Sequence, residues 1–194
     1  IVMEGGSVDF NGSGTLITSE SCLLNKNRNQ DLNRKEIEEH LHAYYGVDQV
    51  LWVKDGIVGD DTDGHIDDTV RFVNGDTVIS VVEENRSDEN YELLRQLLKK
   101  LKTVRLLNGK QLNIIELPMP DKVLFEGQRL PASYANFYIA NKLVLAPTFN
   151  DPNDRVAMNV LAGMFPTRTV IGIACTDLVL GLGTLHCMTQ QQPA

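Results

Sequence analysis

The sequence lacks most of the features that mark secreted, membrane-spanning or nucleic-acid-binding proteins. Its three cysteines are far apart in 194 residues, which argues against a disulfide framework and favours a reducing compartment such as the cytoplasm. No apolar run approaches the about 18–20 residues that a membrane helix needs, and no charged and then apolar leader opens the chain. We therefore expect a soluble, cytoplasmic protein with no membrane partner.

Basic residues are also scarce. The 18 lysines and arginines stand against 26 aspartates and glutamates, so the net charge is −8 and no basic surface is expected for phosphate backbones. Nucleic acid is thus not an expected partner, whereas small cationic ligands are mildly favoured. With 7 prolines, 15 glycines and 42% hydrophobic residues, the composition is that of a globular protein with a core and not of a disordered chain.

The pattern of predicted elements repeats along the chain. We predict hairpins that start at residues 7, 69 and 134, each followed by an amphipathic helix and one more strand. The starts are 62 and 65 residues apart, so the chain holds about three β-β-α-β units, with a fourth beginning near Gly183. This predicts an α/β repeat architecture. The predicted strands are residues 7–10, 15–18, 49–53, 69–73, 77–82, 112–117, 134–140, 143–147 and 169–174.

Each predicted helix has a start signal and an apolar face. Asn33 with Glu36 predicts a capping box, the second helix is capped near Ser87, and Asp151 followed by Pro152 predicts the third helix. The expected buried faces are Ile37, Leu41 and Tyr44 in the first helix, Tyr91, Leu94, Leu98 and Leu101 in the second, and Val156, Val160 and Leu161 in the third.

The densest polar segment, residues 59–68, has the sequence GDDTDGHIDD. A solvated acidic turn is the plain interpretation. A calcium-binding EF-hand loop does not fit, because the register that aligns Asp61, Asp63 and Gly64 puts Val70 where a bidentate glutamate is required.

His65 and Asp67 are the more specific feature of this segment. If the segment is extended, side chains two residues apart point to the same face and can act on one ligand. A transition-metal site needs at least one more ligand, and no Cys-x-x-Cys or His-x-x-x-His motif accompanies the pair. We therefore expect no metal.

Cys187 follows a glycine-bearing stretch, and both a buried structural thiol and a reactive one remain open there. If this segment is extended, His186 points to the opposite face, so a base would come from elsewhere, and His65 is the natural candidate. Cys22 and Cys175 lie in apolar, strand-like surroundings and are expected to be inert.

Five polar residues lie at the same edge of successive predicted units: Glu4, His65, Asp67, Asn136 and Cys187. If the units close around an axis, equivalent positions meet at one place and these residues share a site. Polar residues that simply cluster at loop ends are the alternative. Two carboxylates with a thiol and a histidine, and no arginine or lysine among them, suit a planar cation such as a guanidinium.

Longer motifs resemble a known family. The segments are Glu4-Gly5-Gly6-Ser7, Leu24-Asn25-Lys26-Asn27-Arg28-Asn29, residues 59–68, Ala132-Ser133-Tyr134-Ala135-Asn136-Phe137-Tyr138-Ile139-Ala140-Asn141 and the last nine residues from His186. They resemble the agmatine deiminases of the bacterial, Porphyromonas-type peptidyl-arginine deiminase family. The resemblance covers essentially the whole chain. It implies the pentein fold, a pseudosymmetric α/β propeller of five β-β-α-β repeats, of which about three are present here.

The resemblance also implies an activity and its residues. Cys187 matches the nucleophile, His65 the general acid and base, and Glu4 and Asp67 the carboxylates that bind the guanidinium. Further substrate contacts are assigned to Asp63, Asn136 and Gly183. The implied reaction is hydrolysis of agmatine to N-carbamoylputrescine and ammonia through a covalent thiouronium intermediate, a step toward putrescine, without metal or cofactor.

Other interpretations remain open at this point. Peptidyl-arginine is the second expected substrate and free arginine the third, while a cysteine hydrolase of neutral amides is a different enzyme class. The family's additional substrate-binding aspartate, in a Trp-x-Arg-Asp-like segment, has no counterpart here. Because the chain opens at Ile1 and holds about three repeats, we expect residues 1–194 to be one partial catalytic domain, the C-terminal part of a longer chain. An inactive fragment or an interaction module, and a homo-oligomer, also stay open.

Overall fold

Three sheets of identical topology organise the chain in the computed structural model, which describes residues 1–192. In each sheet the first strand pairs antiparallel with the second, and the second pairs parallel with the third. A parallel pair needs a crossover connection, and an amphipathic helix supplies it in every unit. The predicted β-β-α-β repeat is therefore present three times in the described part of the chain.

The bounds of the elements agree with most predicted ranges to within one or two residues. The first unit comprises β1 (Val8–Phe10), β2 (Thr15–Ser19), short helices α1 (Glu20–Leu23) and α2 (Lys26–Asn29), crossover helix α3 (Arg34–Tyr45) and β3 (Gln49–Val53). The second comprises β4 (Val70–Phe72), β5 (Thr77–Val82), α4 (Glu89–Leu101) and β6 (Asn113–Pro118). A two-stranded ribbon of β7 (Leu124–Phe125) and β8 (Gln128–Arg129) precedes the third unit, which comprises β9 (Tyr138–Ile139), β10 (Leu143–Thr148), α5 (Asn153–Met164) and β11 (Thr169–Ala174). Short 3₁₀ turns occupy Gly5–Ser7, Ile66–Asp68 and Leu178–Gly181.

The helix start signals are largely confirmed. Asn33 and Glu36 form the predicted capping box at α3, each side chain accepting a hydrogen bond from the backbone N–H of the other. Asp88, one residue after the predicted Ser87, caps α4 by accepting from the N–H of Asn90. Asp151 accepts from the N–H of Asn153 at the start of α5.

Two predicted apolar positions are wrong. Tyr44 and Val156 are 77% and 47% exposed: Tyr44 lies in the last turn of α3, and Val156 precedes the buried Ala157 by one position and so faces another side of α5. The buried positions are Ile37 and Leu41 in α3, Leu94, Leu97 and Leu101 in α4, and Ala157 and Leu161 in α5.

Two further predictions are corrected. The strand expected from Tyr134 begins only at Tyr138, because residues 133–136 form a turn whose side chains enter the core. No strand of a fourth unit starts near Gly183 within the described residues. The segment from Thr184 is a helical turn closed by a hydrogen bond from the N–H of Met188 to the carbonyl of Thr184 (3.1 Å).

The core consists of two apolar clusters. The larger one runs through the second and third units and contains Ile79, Leu117, Tyr134 and Phe137, and the smaller one packs α3 against the first sheet. None of the helices among residues 1–192 combines the length and the apolarity that a membrane crossing requires.

Candidate active site

A cleft of about 890 Å³ opens where loops from the three units meet. Its wall carries Glu4, His65, Asp67, His186 and Cys187, which come from three separate segments of the chain. The structure therefore brings together the four residues that the sequence analysis assigned to catalysis, and adds a second histidine.

The segment before β1 brings Glu4 to the cleft by passing close to the second unit. A Cβ atom at Gly6 would lie 2.5 Å from Nδ1 of His65 and 2.8 Å from Oδ2 of Asp67, so only glycine permits this approach. The hydroxyl of Ser7 donates to the carbonyl of Glu4 (2.6 Å) and closes the turn. The Glu-Gly-Gly-Ser motif is thus explained by packing against His65 and Asp67.

His65 is held by the acidic loop before it. Oδ2 of Asp60 accepts hydrogen bonds from the backbone N–H groups of Gly64 (3.0 Å) and His65 (2.8 Å). The ring is 6% exposed, its Nε2 lies 3.5 Å from Oε2 of Glu4, and Nε2 has no hydrogen-bond partner among residues 1–192. The segment is a 3₁₀ turn and not the extended chain that we predicted, although His65 and Asp67 still reach one cleft.

Asp67 is fully buried and is the central acceptor of the site. Its Oδ2 accepts from Nδ1 of His186 (2.6 Å) and from the thiol of Cys187 (3.4 Å). Burial by itself would raise the pKa of Asp67, but the hydrogen bond and charge of His186 and the charge of Arg71 lower it overall. Asp67 therefore provides a permanent negative charge beside the sulfur.

Asn136 positions the turn that carries Cys187. Its Oδ1 accepts from the hydroxyl of Thr184 (2.9 Å) and from the N–H groups of His186 (2.9 Å) and Cys187 (3.3 Å). Its Nδ2 donates to Oδ1 of Asp68 (2.9 Å) and to the sulfur of Cys187 (3.1 Å). Asn136, a predicted substrate contact, is fully buried and does not line the cleft, and its hydrogen bonds orient the turn that carries Cys187.

The turn around Cys187 differs from the extended segment that we predicted. In the turn, His186 and Cys187 both contact Asp67, so the argument that put His186 on the opposite face is wrong. The Cys187 sulfur accepts a hydrogen bond from Asn136 and donates one to Asp67, and no hydrogen bond joins it to His65 in the described structure. Gly183 lines the cleft, and a Cβ there would lie 2.7 Å from Cβ of Cys187.

The Cys187 thiol is protonated at neutral pH in this site. Enclosure by the protein and the negative charge of Asp67 raise the pKa of Cys187 to about 12. A cation bound beside Asp67 would offset that charge and favour the thiolate. Burial likewise raises the pKa of Cys22, to about 12, and that of Cys175, which agrees with the prediction that these two thiols are inert.

Asp63, another of the predicted substrate contacts, lies beside Arg28 outside the cleft. Its carboxylate lies 3.4 Å from Nη1 of Arg28 and does not line the cleft. Arg28 itself contradicts the expectation that no arginine accompanies the carboxylates, because its Nε lies 3.0 Å from both oxygens of Glu4. The sequence carries no local signal for these contacts, since Arg28 is 24 residues from Glu4 and 35 from Asp63.

One group of side chains has the composition of a metal site. Ligand atoms of Glu4, Cys22 and His65 lie within 4.8 Å of one another. The guanidinium of Arg28, which also donates to the carbonyl of Cys22 (3.0 Å), puts a permanent positive charge against this group. This charge opposes a metal cation, and the raised pKa of Cys22 disfavours the thiolate that such an ion would need.

Comparisons with known proteins find deiminases that are similar to this chain along its length. The family model described as Porphyromonas-type peptidyl-arginine deiminase matches residues 1–193. The agmatine deiminase of Medicago truncatula is 40% identical over 100% of this chain and 58% of its own length, and that of Ectopseudomonas mendocina is 38% identical over 100% and 57%.

Similar solved structures also include agmatine deiminases. Agmatine deiminase of C. jejuni with substrate bound has a TM-score of 0.90 at 37% identity, covering 96% of this chain and 55% of its own. That of Enterococcus faecalis has a TM-score of 0.94 at 33% identity, covering 98% and 57%. An amidinotransferase from Microseira wollei, 14% identical with a TM-score of 0.53 over 90% and 43%, shares the α/β fold.

The chain spans between 55% and 58% of the length of these deiminases, and the match to the family model extends along it from Ile1 onward. The motif-based resemblance is therefore confirmed. This chain belongs to the Porphyromonas-type peptidyl-arginine deiminase family.

Proposed function

We propose that this chain carries the catalytic residues of an agmatine deiminase, which hydrolyses agmatine to N-carbamoylputrescine and ammonia. The observation that carries the proposal is the contact of the Cys187 thiol with the buried carboxylate of Asp67 in a cleft that also presents Glu4. A carboxylate beside a thiol binds the N–H groups of a guanidinium while presenting its carbon to sulfur. The named agmatine deiminases among its relatives support the same substrate.

The substrate cation takes part in activating the nucleophile. Its charge offsets that of Asp67, so the Cys187 pKa falls from about 12 when the cleft is filled. The thiol proton passes to His65, the base that the sequence analysis assigned to Cys187, and the thiolate attacks the guanidinium carbon to form a C–S bond. His65, on the cleft wall, protonates the departing amino group, and ammonia leaves.

The resulting thiouronium is then hydrolysed. A water that gives one proton to His65 attacks the same carbon, the C–S bond breaks as the second proton passes to the sulfur, and the Cys187 thiol is regenerated as the carbamoyl product leaves. None of these reaction steps is a redox step, and none requires a cofactor. Glu4 and Asp67 carry the binding of the cation throughout.

Several finer features belong to the same proposal. Residues 1–194 act as one catalytic domain, and their three β-β-α-β units form part of a five-unit propeller. The repeated strand order supports this arrangement. The free, cleft-facing thiol of Cys187 must stay reduced, which supports a cytoplasmic location. As the product chemistry implies, the enzyme would serve putrescine synthesis.

Peptidyl-arginine is the second candidate substrate, because the matching family model carries that name. Ammonia release from agmatine, from a blocked arginine ester and from simple amides, measured on the protein at its full natural length, separates the candidates. We expect agmatine to give the highest kcat/KM. Preference for the blocked arginine would favour the peptidyl activity. Turnover of neutral amides would indicate the other cysteine hydrolase class. Absence of any turnover, with no labelling of Cys187 by a haloacetamidine, would indicate an inactive chain.

The nucleophile has its own test. Replacing Cys187 with alanine removes the thiol that forms the covalent intermediate, so we expect kcat to fall by at least about 10⁴-fold. Cys175→Ala is the matched control, and its activity should stay within a factor of about three because that buried thiol does not line the cleft. Appreciable turnover by Cys187→Ala, or a strict need for added divalent metal, would contradict the mechanism.

A further inference from the structure

The guanidinium of Arg28 lies against the catalytic carboxylate of Glu4. Its Nε is 3.0 Å from both carboxylate oxygens, Nη1 donates to the carbonyl of Cys22 (3.0 Å), and Nη2 donates to the carbonyl of Thr62 (3.1 Å). Only 9% of the side chain is exposed, whereas the Glu4 side chain is 42% exposed. The surrounding backbone thus holds the buried Arg28 side chain in place, and Arg28 in turn holds the more exposed Glu4 carboxylate.

The short helix α2 is built to hold this arginine. Asn25 caps the helix by accepting from the N–H of Asn27 (2.9 Å). Asn29 accepts from the N–H of Val2 (2.8 Å) and donates to its carbonyl (2.9 Å), which fastens the backbone that leads to Glu4. The Asn-Lys-Asn-Arg-Asn motif therefore binds the segment before β1 at two points, one on the backbone and one on the Glu4 side chain.

The same guanidinium also holds the loop that leads to His65. Its contacts with the carbonyl of Thr62 and with Asp63 lie three and two residues before that histidine. Oε2 of Glu4 and Nε2 of His65 are 3.5 Å apart, so both partners of this contact are tied to Arg28. Burial by itself would raise the pKa of Glu4, but the hydrogen bond and charge of Arg28 lower it, which keeps Glu4 ionised.

We propose that Arg28 is a positioning residue for the deimination: it holds the Glu4 carboxylate against His65 and thereby presents both to the substrate guanidinium in one orientation. The inference rests on the proposed function. It assigns to Arg28 an action through Glu4, because Arg28 does not line the cleft. A lysine cannot replace it, since one ammonium cannot span the Glu4 carboxylate and the two carbonyl oxygens on either side.

The test is a double-mutant cycle on the full-length protein, with Arg28→Gln, Glu4→Gln and the pair together. Charge-assisted hydrogen bonds of this kind are worth about 10- to 100-fold, so we expect Arg28→Gln to lower kcat/KM for agmatine by that factor. In the Glu4→Gln background the same change should cost less than about threefold, because the group it acts through is gone. Arg28→Lys should lose nearly as much as Arg28→Gln while folding normally.

Arg129→Gln is the matched control. Arg129 is equally buried, at 8% side-chain exposure, and pairs with Asp88 (2.7 Å) at the start of α4, away from the cleft. We expect it to lower the thermal midpoint but to leave kcat/KM within a factor of about two, with no coupling to Glu4. A merely structural Arg28 would behave in the same way.

The outcomes separate this inference from the proposed function. Failure of the wild-type protein to release ammonia from agmatine would overturn the proposed function. In that case the double-mutant cycle uses the rate at which 2-chloroacetamidine alkylates Cys187 in place of kcat/KM. We expect the same relative losses among the variants. The role of Arg28 is overturned if Arg28→Lys keeps the wild-type rate, or if the losses from Arg28→Gln and Glu4→Gln multiply in the double variant.

Discussion

Two adjacent carboxyl groups near the cleft have pKa values shifted in opposite directions. Asp67 accepts a hydrogen bond from His186, which with the charge of that histidine lowers its pKa. Burial and the neighbouring charge of Asp67 raise the pKa of Asp68 well above its usual range, and its side-chain hydrogen bond comes from the neutral amide of Asn136. The pair therefore favours the ionised form at Asp67, beside the Cys187 thiol, over the ionised form at Asp68.

The raised pKa of Asp68 gives a prediction about stability and pH. Because its folded pKa is raised, the native state keeps a proton that the unfolded chain loses above pH 3.8, and stability falls as pH rises from there toward the folded pKa. Asp68→Asn removes this loss and preserves an acceptor for Asn136. We expect urea unfolding to show the variant gaining stability relative to wild type as pH rises from about 4 to about 8. Parallel pH curves for the two proteins would contradict the assignment.

The thiol of Cys187 gives a second prediction at this scale. With a pKa of about 12, its alkylation by neutral iodoacetamide should rise about tenfold per pH unit from pH 7 to pH 10, without a plateau. Asp67→Asn removes a charge that raises this pKa, so it should speed iodoacetamide alkylation while abolishing agmatine turnover. Subtracting the rate of Cys187→Ala controls for the other thiols. A plateau near neutral pH would instead show a preformed thiolate.

At the scale of elements, the turn that carries Cys187 depends on a glycine. A Cβ at Gly183 would lie 2.7 Å from Cβ and 2.9 Å from Sγ of Cys187, whereas one at Gly181 would meet no atom within 4 Å. We expect Gly183→Ala to displace the sulfur and to lower kcat by at least about tenfold, since small misplacements of reacting groups are costly. Gly181→Ala is the control and should stay within about twofold. Equal activity of the two variants would show that the turn tolerates the added atom.

The capping box of α3 allows a prediction that involves no catalytic residue. Asn33→Ala removes the acceptor for the N–H of Glu36 and should cost about 1 kcal/mol of unfolding free energy in urea denaturation. Ser87→Ala is the matched control, because Ser87 is exposed and bonds only to Asn85 within its loop. It should change stability by less than about 0.5 kcal/mol. A cost at Ser87 as large as that at Asn33 would contradict the cap assignment at Asp88.

At the scale of the whole molecule, the third sheet ends in an exposed strand. β11 pairs only with β10 in the described residues, and Ile171 and Ile173 on it are 38% and 36% exposed. Unpaired, apolar edge strands associate with other chains. We expect the 194-residue chain on its own to self-associate in sedimentation experiments, and Ile173→Lys to reduce this. Leu107→Lys, at an exposed leucine in a turn, should have no effect. Unchanged association in the Ile173 variant would place the contact elsewhere.

Local features of the fold were predictable because they depend on residues close in sequence. The Asn33 cap, the Asp151 cap and the three-fold recurrence of hairpin, helix and strand follow from spacing within a few residues. The site was predictable in part, since equivalent edges of repeated units meet, and Glu4, His65, Asp67 and Cys187 share a cleft. Periodicity failed at residues 133–136, where the side chains are buried by a turn and not by a strand.

The sequence by itself determined the repeat, the helix ends and the polar residues at the edges of the units, because neighbours within a few positions decide these. Only the tertiary structure decided the chemistry of each group. Arg28 meets Glu4 across 24 residues, and His186 meets Asp67 across 119. The pKa of Cys187, the opposite pKa shifts of Asp67 and Asp68, and the turn that Asn136 holds all depend on charges and burial that arise when distant segments pack, which no local pattern records.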